Sequence, residues 1–198
     1  MEIGDVVLIR GSSSISMKII HAQNIARYFP KIEPPRNYSK THYSHVTMYM
    51  GDGLFIEATN GLHKGVIVST YNQFIHSQLH KERCKIFRYN KLDEKNRVLL
   101  HQKIFHYLGR EYYINLLENI FNISDLDSTK SFCSELIVNL YRQTSLEDFF
   151  PNIPSKTVYP IHFHNLFKTS WYLNIPHLLS SSLSCYLYLW SILFQMKG

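Results

Sequence analysis

The sequence SFCSELIVNLY at residues 131–141 has the apolar spacing of an amphipathic helix that begins beside a cysteine. The apolar residues from Leu136 to Tyr141 recur at helical intervals, and Cys133 lies on the same stripe, one turn earlier. Ser131 is predicted to cap the N-terminus of this helix through its hydroxyl. Cys133 would then lie in the first turn, where the helix dipole favours a thiolate. The alternative is a buried cysteine that only packs in the core.

Length and composition predict one folded domain. The chain has 198 residues, of which 45% are hydrophobic and 18% charged, so a real core is expected. The net charge of +6 is compatible with anionic partners such as phospholipid surfaces, cell-wall polymers or nucleic acid, but solubility is the preferred explanation for the body of the chain. No run of five or more Lys and Arg occurs, so no nucleic-acid partner is expected.

Cysteine usage and the N-terminus bear on the compartment. Cys84, Cys133 and Cys185 are an odd and sparse set, which fits a reducing compartment better than a disulfide framework. The first residues lack the basic and apolar regions of a signal peptide. We therefore expect an intracellular protein.

The other patterns predict a mixture of short strands and helices. Strands are predicted at 6–9, 65–68 and 84–89, and helices at 13–29 and 92–108. A loop is predicted at 30–42, and a loop or short helix at 110–130. A surface strap is expected at 152–165, where two prolines interrupt the pattern.

The clearest hairpin lies at residues 45–59. A three-residue loop at 51–53 would pair 50 with 54, 48 with 56 and 46 with 58, all apolar, and so bury one face uniformly. In that register His45 faces Thr59, and Glu57 is the diagonal neighbour of His45 on the same face, which is the one opposite the apolar face. Diagonal neighbours lie about 7–8 Å apart at the backbone, which a Glu and a His can bridge. Glu57 is therefore predicted to orient the His45 imidazole, with a solvated polar face as the alternative.

These residues together fit nucleophilic catalysis. A thiol nucleophile needs a base within hydrogen-bond reach, and that base needs a group that orients it. Cys133, His45 and Glu57 are the candidates for these three roles. The oxyanion of a tetrahedral intermediate would meet the Cys133 backbone N–H and one further donor, for which Tyr112 and Tyr113 are weak substrate-binding candidates.

Six short stretches follow one another in an order that is fairly specific as a set. They are Gly4-Asp5, SHVTMYMGDG at 44–53, FIEA at 55–58, Gly65-Val66, GREY at 109–112 and FCSEL at 132–136. Together they resemble the circularly permuted branch of the NlpC/P60 superfamily, especially its YiiX-like group, over roughly residues 4–145. The resemblance implies an α+β, permuted papain-like fold. A small antiparallel sheet or barrel carries His45, and the helix bearing Cys133 packs against it.

The resemblance also implies site residues and an activity. It assigns His45, Glu57 and Cys133 to the triad, whereas Tyr113 stands where the family's Gly-x-x-Tyr-Asp pattern has Asp. Relatives in the wider permuted class cleave or transfer acyl groups on lipids, amides and peptides. We therefore expect a cysteine-dependent hydrolase or acyltransferase that acts on an amide or ester bond of a lipid or peptide. A catalytically silent binding module on the same fold is the alternative.

Metal ligation is a further possibility that the sequence raises. His42 with His45, and His162 with His164, are pairs at close spacing. No cysteine pair has zinc spacing, and chance pairs are common among eleven histidines. We expect no metal and no cofactor, and we expect His162 and His164 to be exposed on the strap.

The C-terminal stretch differs from the rest of the chain. A catalytic domain is predicted at 1–176 and a hydrophobic tail at 177–198, because residues 178–194 carry no charge and are rich in aliphatic and aromatic residues. This length is at the lower edge of a membrane span. The tail could be a membrane anchor, an interfacial segment or a helix packed on the domain, and we favour membrane attachment. Cys185 would then be placed for acylation.

Overall fold

The structure is a computed structural model, and its description covers ten parts of the chain. These are residues 1–11, 13–26, 42–60, 64–73, 84–113, 129–144, 149, 155, 158–166 and 172–174. The predicted tail at 177–198 with Cys185, the boundary at 176 and most of the segments predicted at 30–42 and 110–130 lie outside these ranges. Within them, no helix is both long enough and apolar enough to cross a membrane.

Helices and strands are mixed along the chain, as the α+β class requires. In chain order the elements are β1 (Val6–Ile9), α1 (Ser14–Ala26), β2 (His45–Gly51), β3 (Leu54–Asn60), β4 (Lys64–Thr70), β5 (Cys84–Tyr89), α2 (Glu94–Ile104), β6 (Glu111–Tyr112), β7 (Lys130–Ser131), α3 (Cys133–Arg142), α4 (Pro160–Leu166) and β8 (Tyr172–Asn174). Asp93 caps α2 as its side chain accepts from the Asn96 N–H at 2.8 Å.

The main sheet is antiparallel, with strand order β4-β3-β2-β1-β5-β8 in the part of the chain described. All four residues of β1 are buried, because this strand lies inside the sheet between β2 and β5. A run of β-branched and aliphatic residues suits a strand covered on both faces. At its end, Ile9 pairs with His45 on one side and Cys84 on the other.

The hairpin of β2 and β3 has a different turn from the predicted one. Gly51 pairs with Leu54, so the loop has two residues, and Met50 is an extra residue in a bulge. Asp52 and Gly53 both have positive φ, 49° and 74°, as a type I′ turn requires. The bulge compensates for the shorter loop by one residue. Residues 48 and 56 are therefore paired as predicted, and the face assignment of His45 and Glu57 is unchanged.

Helix α3 packs on the apolar face of this hairpin. The apolar residues of the predicted stripe from Leu136 to Tyr141 are fully buried, and Cys133 at its start is almost completely buried. The main core cluster combines sheet and helix residues: Val6, Leu8, Val46, Met48, Ile56, Ala58, Leu100, Ile104, Leu136, Ile137, Leu140 and Tyr141. The opposite face of the sheet has its own smaller cluster around Phe55. Both faces of the strands that bear His45 and Glu57 are therefore covered.

The predicted surface strap contains a helix, and the expected exposure of its histidines is wrong. Helix α4 begins at Pro160, a residue favoured at the first helical position because it has no N–H to satisfy. The His162 side chain is buried, and its Nδ1 accepts from the Tyr159 N–H at 2.9 Å. Burial lowers the pKa of His162 to about 4, so this imidazole is neutral at pH 7. His164 is half-buried, with its ring 5.1 Å from that of Tyr43.

Candidate active site

Cys133 is the first residue of α3 and is almost completely buried. Phe132, in an extended conformation, is the residue that caps this helix, and its side chain makes no capping hydrogen bond. The prediction that Ser131 caps the helix is wrong, because Ser131 belongs to β7 and pairs with Tyr112. The first turn therefore presents its backbone N–H groups beside the thiol with no side-chain cap.

His45 is the first residue of β2, and it contacts Glu57 as the diagonal register predicted. The His45 Nε2 lies 2.8 Å from Glu57 Oε2. The second oxygen, Oε1, accepts a 2.5 Å hydrogen bond from Ser69 Oγ. Because each oxygen has its own partner, the carboxylate cannot rotate without breaking a hydrogen bond.

The charge of Glu57 is maintained despite its burial. Burial alone would raise the pKa of this carboxyl. The hydrogen bond and charge of His45, together with the hydrogen bond from Ser69, outweigh burial and lower the pKa of Glu57 below its usual value. An ionised carboxylate therefore lies next to the imidazole at neutral pH.

The His45 imidazole lies between Glu57 and Cys133. Its Nε2 hydrogen-bonds Glu57, and Cys133 is close enough to the ring to act on its pKa. Since Nε2 is engaged by Glu57, Nδ1 is the ring nitrogen left for the thiol. Burial lowers the pKa of His45, but the interactions with Cys133 and then Glu57 raise it to about 10. This environment favours the protonated imidazolium form of His45.

The structure brings one of the two predicted tyrosines to the thiol. Burial, and then the charge of Cys133, raise the pKa of Tyr112, so its phenol keeps its proton and can donate. Tyr113 instead contacts Lys130, whose Nζ lies 5.7 Å from the centre of the tyrosine ring. Tyr112 is therefore the better candidate for a contact with a reacting group.

A close approach of two backbone segments sets the position of Tyr112. The Val66 N–H donates to the Arg110 carbonyl at 2.8 Å, and the Gly109 N–H donates to the Val66 carbonyl at 3.0 Å. Gly65 permits this approach, since a Cβ at this position would lie 2.6 Å from the Arg110 carbonyl oxygen. Segment 109–112 is thereby held against β4.

A buried amide supports the segment that leads into His45. The Gln23 Nε2 donates to the Tyr43 carbonyl at 3.1 Å, and its Oε1 accepts from the Ile161 N–H at 2.9 Å. The sequence interpretation missed both Gln23 and Ser69. Pairing β4 against β3 by alternation would have placed Ser69 on the face of Glu57, whereas no local signal indicates the partners of Gln23.

Two of the four histidines considered as metal ligands have other partners. His45 is bonded to Glu57, and His162 accepts from the Tyr159 backbone. No group of three or more His, Cys, Asp or Glu residues that could hold a metal ion occurs among the residues described.

A cysteine at the start of a helix, an imidazole at the end of a strand and a carboxylate that holds it are the features of the papain-like class, here with the histidine before the cysteine. The chain belongs to the family of permuted papain-like amidases, YaeF/YiiX, also called the C92 family, which it matches over residues 1–167. This match confirms the predicted fold and the predicted YiiX-like group. It also supports an enzyme of the cysteine peptidase or amidase type.

A solved structure has the same fold. It is described as the metalloprotein yiiX from Escherichia coli O157:H7, and it superimposes with a TM-score of 0.54 at 20% sequence identity. The similarity covers 88% of this chain and 96% of the other. A search of curated proteins found no match.

Replacement of Glu57 by glutamine is expected to lower the pKa of His45. Glutamine keeps the shape and one acceptor but removes the negative charge that favours the imidazolium. In the wild type this pKa is about 10, so the NMR titration midpoint of the His45 ring should move to lower pH in the variant. A His45→Gln variant identifies the NMR signal of the His45 ring. An unchanged midpoint in Glu57→Gln would contradict the proposed effect of the Glu57 charge on His45.

The same coupling has a consequence for stability. A pKa raised in the folded state stabilises the fold below the unfolded value of about 6.5, and this contribution disappears as the pH rises through the folded value. The wild type should therefore lose more thermal stability than Glu57→Gln between about pH 6.5 and 10.

Proposed function

We propose that this chain cleaves an amide or ester bond in a lipid or peptide through an acyl-enzyme on Cys133. The observation that carries this proposal is that Cys133, at the N-terminus of α3, lies beside His45, which is hydrogen-bonded to Glu57. Membership of a permuted papain-like amidase family supports an amide as the primary substrate class.

In the acylation step, His45 acts first as base and then as acid. Its Nδ1 takes the thiol proton, and the Cys133 sulfur attacks the substrate carbonyl carbon to form a tetrahedral intermediate. When this intermediate collapses, His45 gives its proton to the leaving nitrogen or oxygen, and the C–N or C–O bond breaks. Glu57 keeps the ring oriented and stabilises its positive charge throughout.

The oxyanion of the intermediate needs donors. We assign this role to the Cys133 backbone N–H and the Tyr112 hydroxyl, because the first lies at an uncapped helix start and the second lies within the electrostatic reach of the sulfur. Tyr113, which contacts Lys130, is a weaker candidate for a substrate contact.

Deacylation completes the cycle. His45 takes a proton from water and the oxygen attacks the thioester carbon. The C–S bond then breaks to release the acid, and His45 returns its proton to the sulfur, which restores the thiol. If an amine or alcohol replaces water, the same steps transfer the acyl group. Hydrolysis and transfer are therefore distinguished by the acceptor that the site admits.

Labelling with iodoacetamide tests the proposal. Cys133 should be alkylated rapidly near neutral pH, and His45→Ala should slow this reaction. Cys133→Ala should remove both this label and all turnover of a panel of peptide amides and lipid esters. Cys84 is an internal control, since burial raises its pKa to about 11 and it should react slowly. Intact mass with peptide mapping locates the label.

The alternative is a silent binding module on the same fold. Tyr113 in place of the family's Asp is the feature that favours it. Slow labelling of all cysteines without dependence on His45, and no turnover of the panel, would support this alternative.

We further propose that the apolar segment 178–194 attaches the chain to membranes. Co-sedimentation with anionic phospholipid vesicles tests this. It compares the full chain with the double variant Leu187→Lys, Leu193→Lys. Equal recovery of both proteins in the pellet would contradict it.

A further inference from the structure

A buried serine on the edge strand β4 is connected to the candidate site through Glu57. Ser69 is 6% exposed, and its Oγ donates to Glu57 Oε1 at 2.5 Å. His45 uses the other oxygen of the same carboxylate. The serine hydroxyl and the imidazole therefore hold Glu57 from two sides.

The sheet register keeps the serine in this place. Strands β3 and β4 pair continuously from Leu54 with Thr70 to Asn60 with Lys64. In this register Glu57 faces Ile67, so Ser69 is its diagonal neighbour on the same face. A slip by one residue would move every side chain of β4 to the other face, which a packed sheet resists.

We propose that Ser69 is a positioning residue that fixes the Glu57 carboxylate for its hydrogen bond to His45 and extends that pairing to acidic pH. Its effect on catalysis rests on the proposed function, whereas its effect on Glu57 does not.

Loss of the hydroxyl would act on the carboxylate in two ways. Oε1 would be left buried without this donor, which penalises the charged form and raises the pKa of Glu57. The carboxylate would also be free to turn about its last bond, so the imidazole would be less well oriented.

Few other groups bear on this equilibrium in the part of the chain described. The groups that face Glu57 are His45 from β2 and Ser69 from β4. The groups that face His45 are Cys133 from α3 and Glu57, and Tyr112 lies beside Cys133. Ser69 is the neutral member of this set that touches Glu57, so its removal changes no net charge.

The test is the titration of the Glu57 side-chain carboxyl by carbon NMR in the full chain, with Glu57→Gln identifying the signal. Ser69→Ala is expected to raise the midpoint by about one pH unit, the size of one hydrogen bond to a carboxylate. Ser69→Thr keeps the hydroxyl and should restore the wild-type midpoint.

Thr144→Val is the matched control. Thr144 is fully buried, and its Oγ1 donates to the Tyr141 carbonyl at 2.7 Å, at the end of α3 remote from Cys133. This variant also loses one buried hydroxyl, and it should leave the Glu57 midpoint unchanged. A purely structural role for Ser69 would lower thermal stability in both variants without moving the midpoint.

The outcomes separate this inference from the proposed function. An equal Glu57 midpoint in Ser69→Ala and Thr144→Val would overturn the inference. If Ser69→Ala does not fold, Ser69→Cys replaces it in the test. The thiol is a weaker donor than the hydroxyl, so this variant should also raise the Glu57 midpoint. An unshifted midpoint would overturn the proposed role of Ser69. The rate of Cys133 alkylation should fall at low pH, and in Ser69→Ala this fall should begin at higher pH, in step with the raised Glu57 midpoint. If Cys133 is alkylated equally fast in the wild type and in His45→Ala, the proposed function is wrong. The NMR titration of Glu57 still decides the role of Ser69 in that case.

Discussion

Replacement of His45 by glutamine is expected to reduce turnover by about 10²–10⁴-fold, the usual contribution of a general acid–base group. The glutamine amide can still donate to Glu57, so the buried carboxylate keeps a partner. It cannot accept the thiol proton from Cys133 or return a proton to the leaving group. The variant therefore lacks the group that accepts the thiol proton before attack on the substrate.

Two measurements check this expectation. Alkylation of Cys133 by iodoacetamide at pH 6.5 should slow strongly, and cleavage of amides from the substrate panel should fall in parallel. His106→Gln is the matched control, because His106 is an exposed residue outside the site. Undiminished turnover in His45→Gln, together with an inactive Cys133→Ala, would mean that another residue is the base.

Replacement of Gly65 by alanine is expected to lower the free energy of unfolding by about 3 kcal/mol, combining backbone strain with overpacking. Gly65 has φ +121°, a conformation that residues with a Cβ rarely adopt. The new Cβ would also lie 2.6 Å from the Arg110 carbonyl oxygen. Relief of that clash would push segment 109–112 away from β4 and displace Tyr112.

Urea unfolding measures the loss, with an unchanged m-value as the sign of altered stability alone. Gly109→Ala is the control, since Gly109 has φ +79° but a Cβ there would have no neighbour within 4 Å. It should cost only about 1–2 kcal/mol of left-handed strain. Equal losses in the two variants would show that the close approach to Arg110 contributes nothing. Displacement of Tyr112 would appear as slower turnover by Gly65→Ala, measured at temperatures where this variant is folded.

Local periodicity was sufficient to predict the centre of the candidate site. Alternation along β2 and β3 assigns each residue to a face, and this assignment is the same whether the turn has three residues or two with a bulge. The contact between His45 and Glu57 follows from it. Helical spacing likewise identified the buried stripe of α3 that begins at Cys133.

Contacts between distant segments could not be predicted in this way. Ser131 looked like a cap because only its own neighbours were considered, but its pairing with Tyr112 makes it part of a strand. His162 looked exposed because two prolines suggested a strap, whereas burial against other elements determines its neutral state. The position of Tyr112 depends on Gly65, which lies on another strand.

The hydrogen bonds of Gln23 also have a consequence for how the protein folds. Its amide connects Tyr43, just before His45, with Ile161, a residue 138 positions away from Gln23. Long-range closure of this kind costs chain entropy before any contact repays it, and such topologies fold slowly. We expect native-state hydrogen exchange to show the Ile161 amide protected together with the β2 core. On that expectation, Cys133 and His45 are not yet in contact in a nascent or partly unfolded chain. The reactive pair forms only in molecules whose folding is complete.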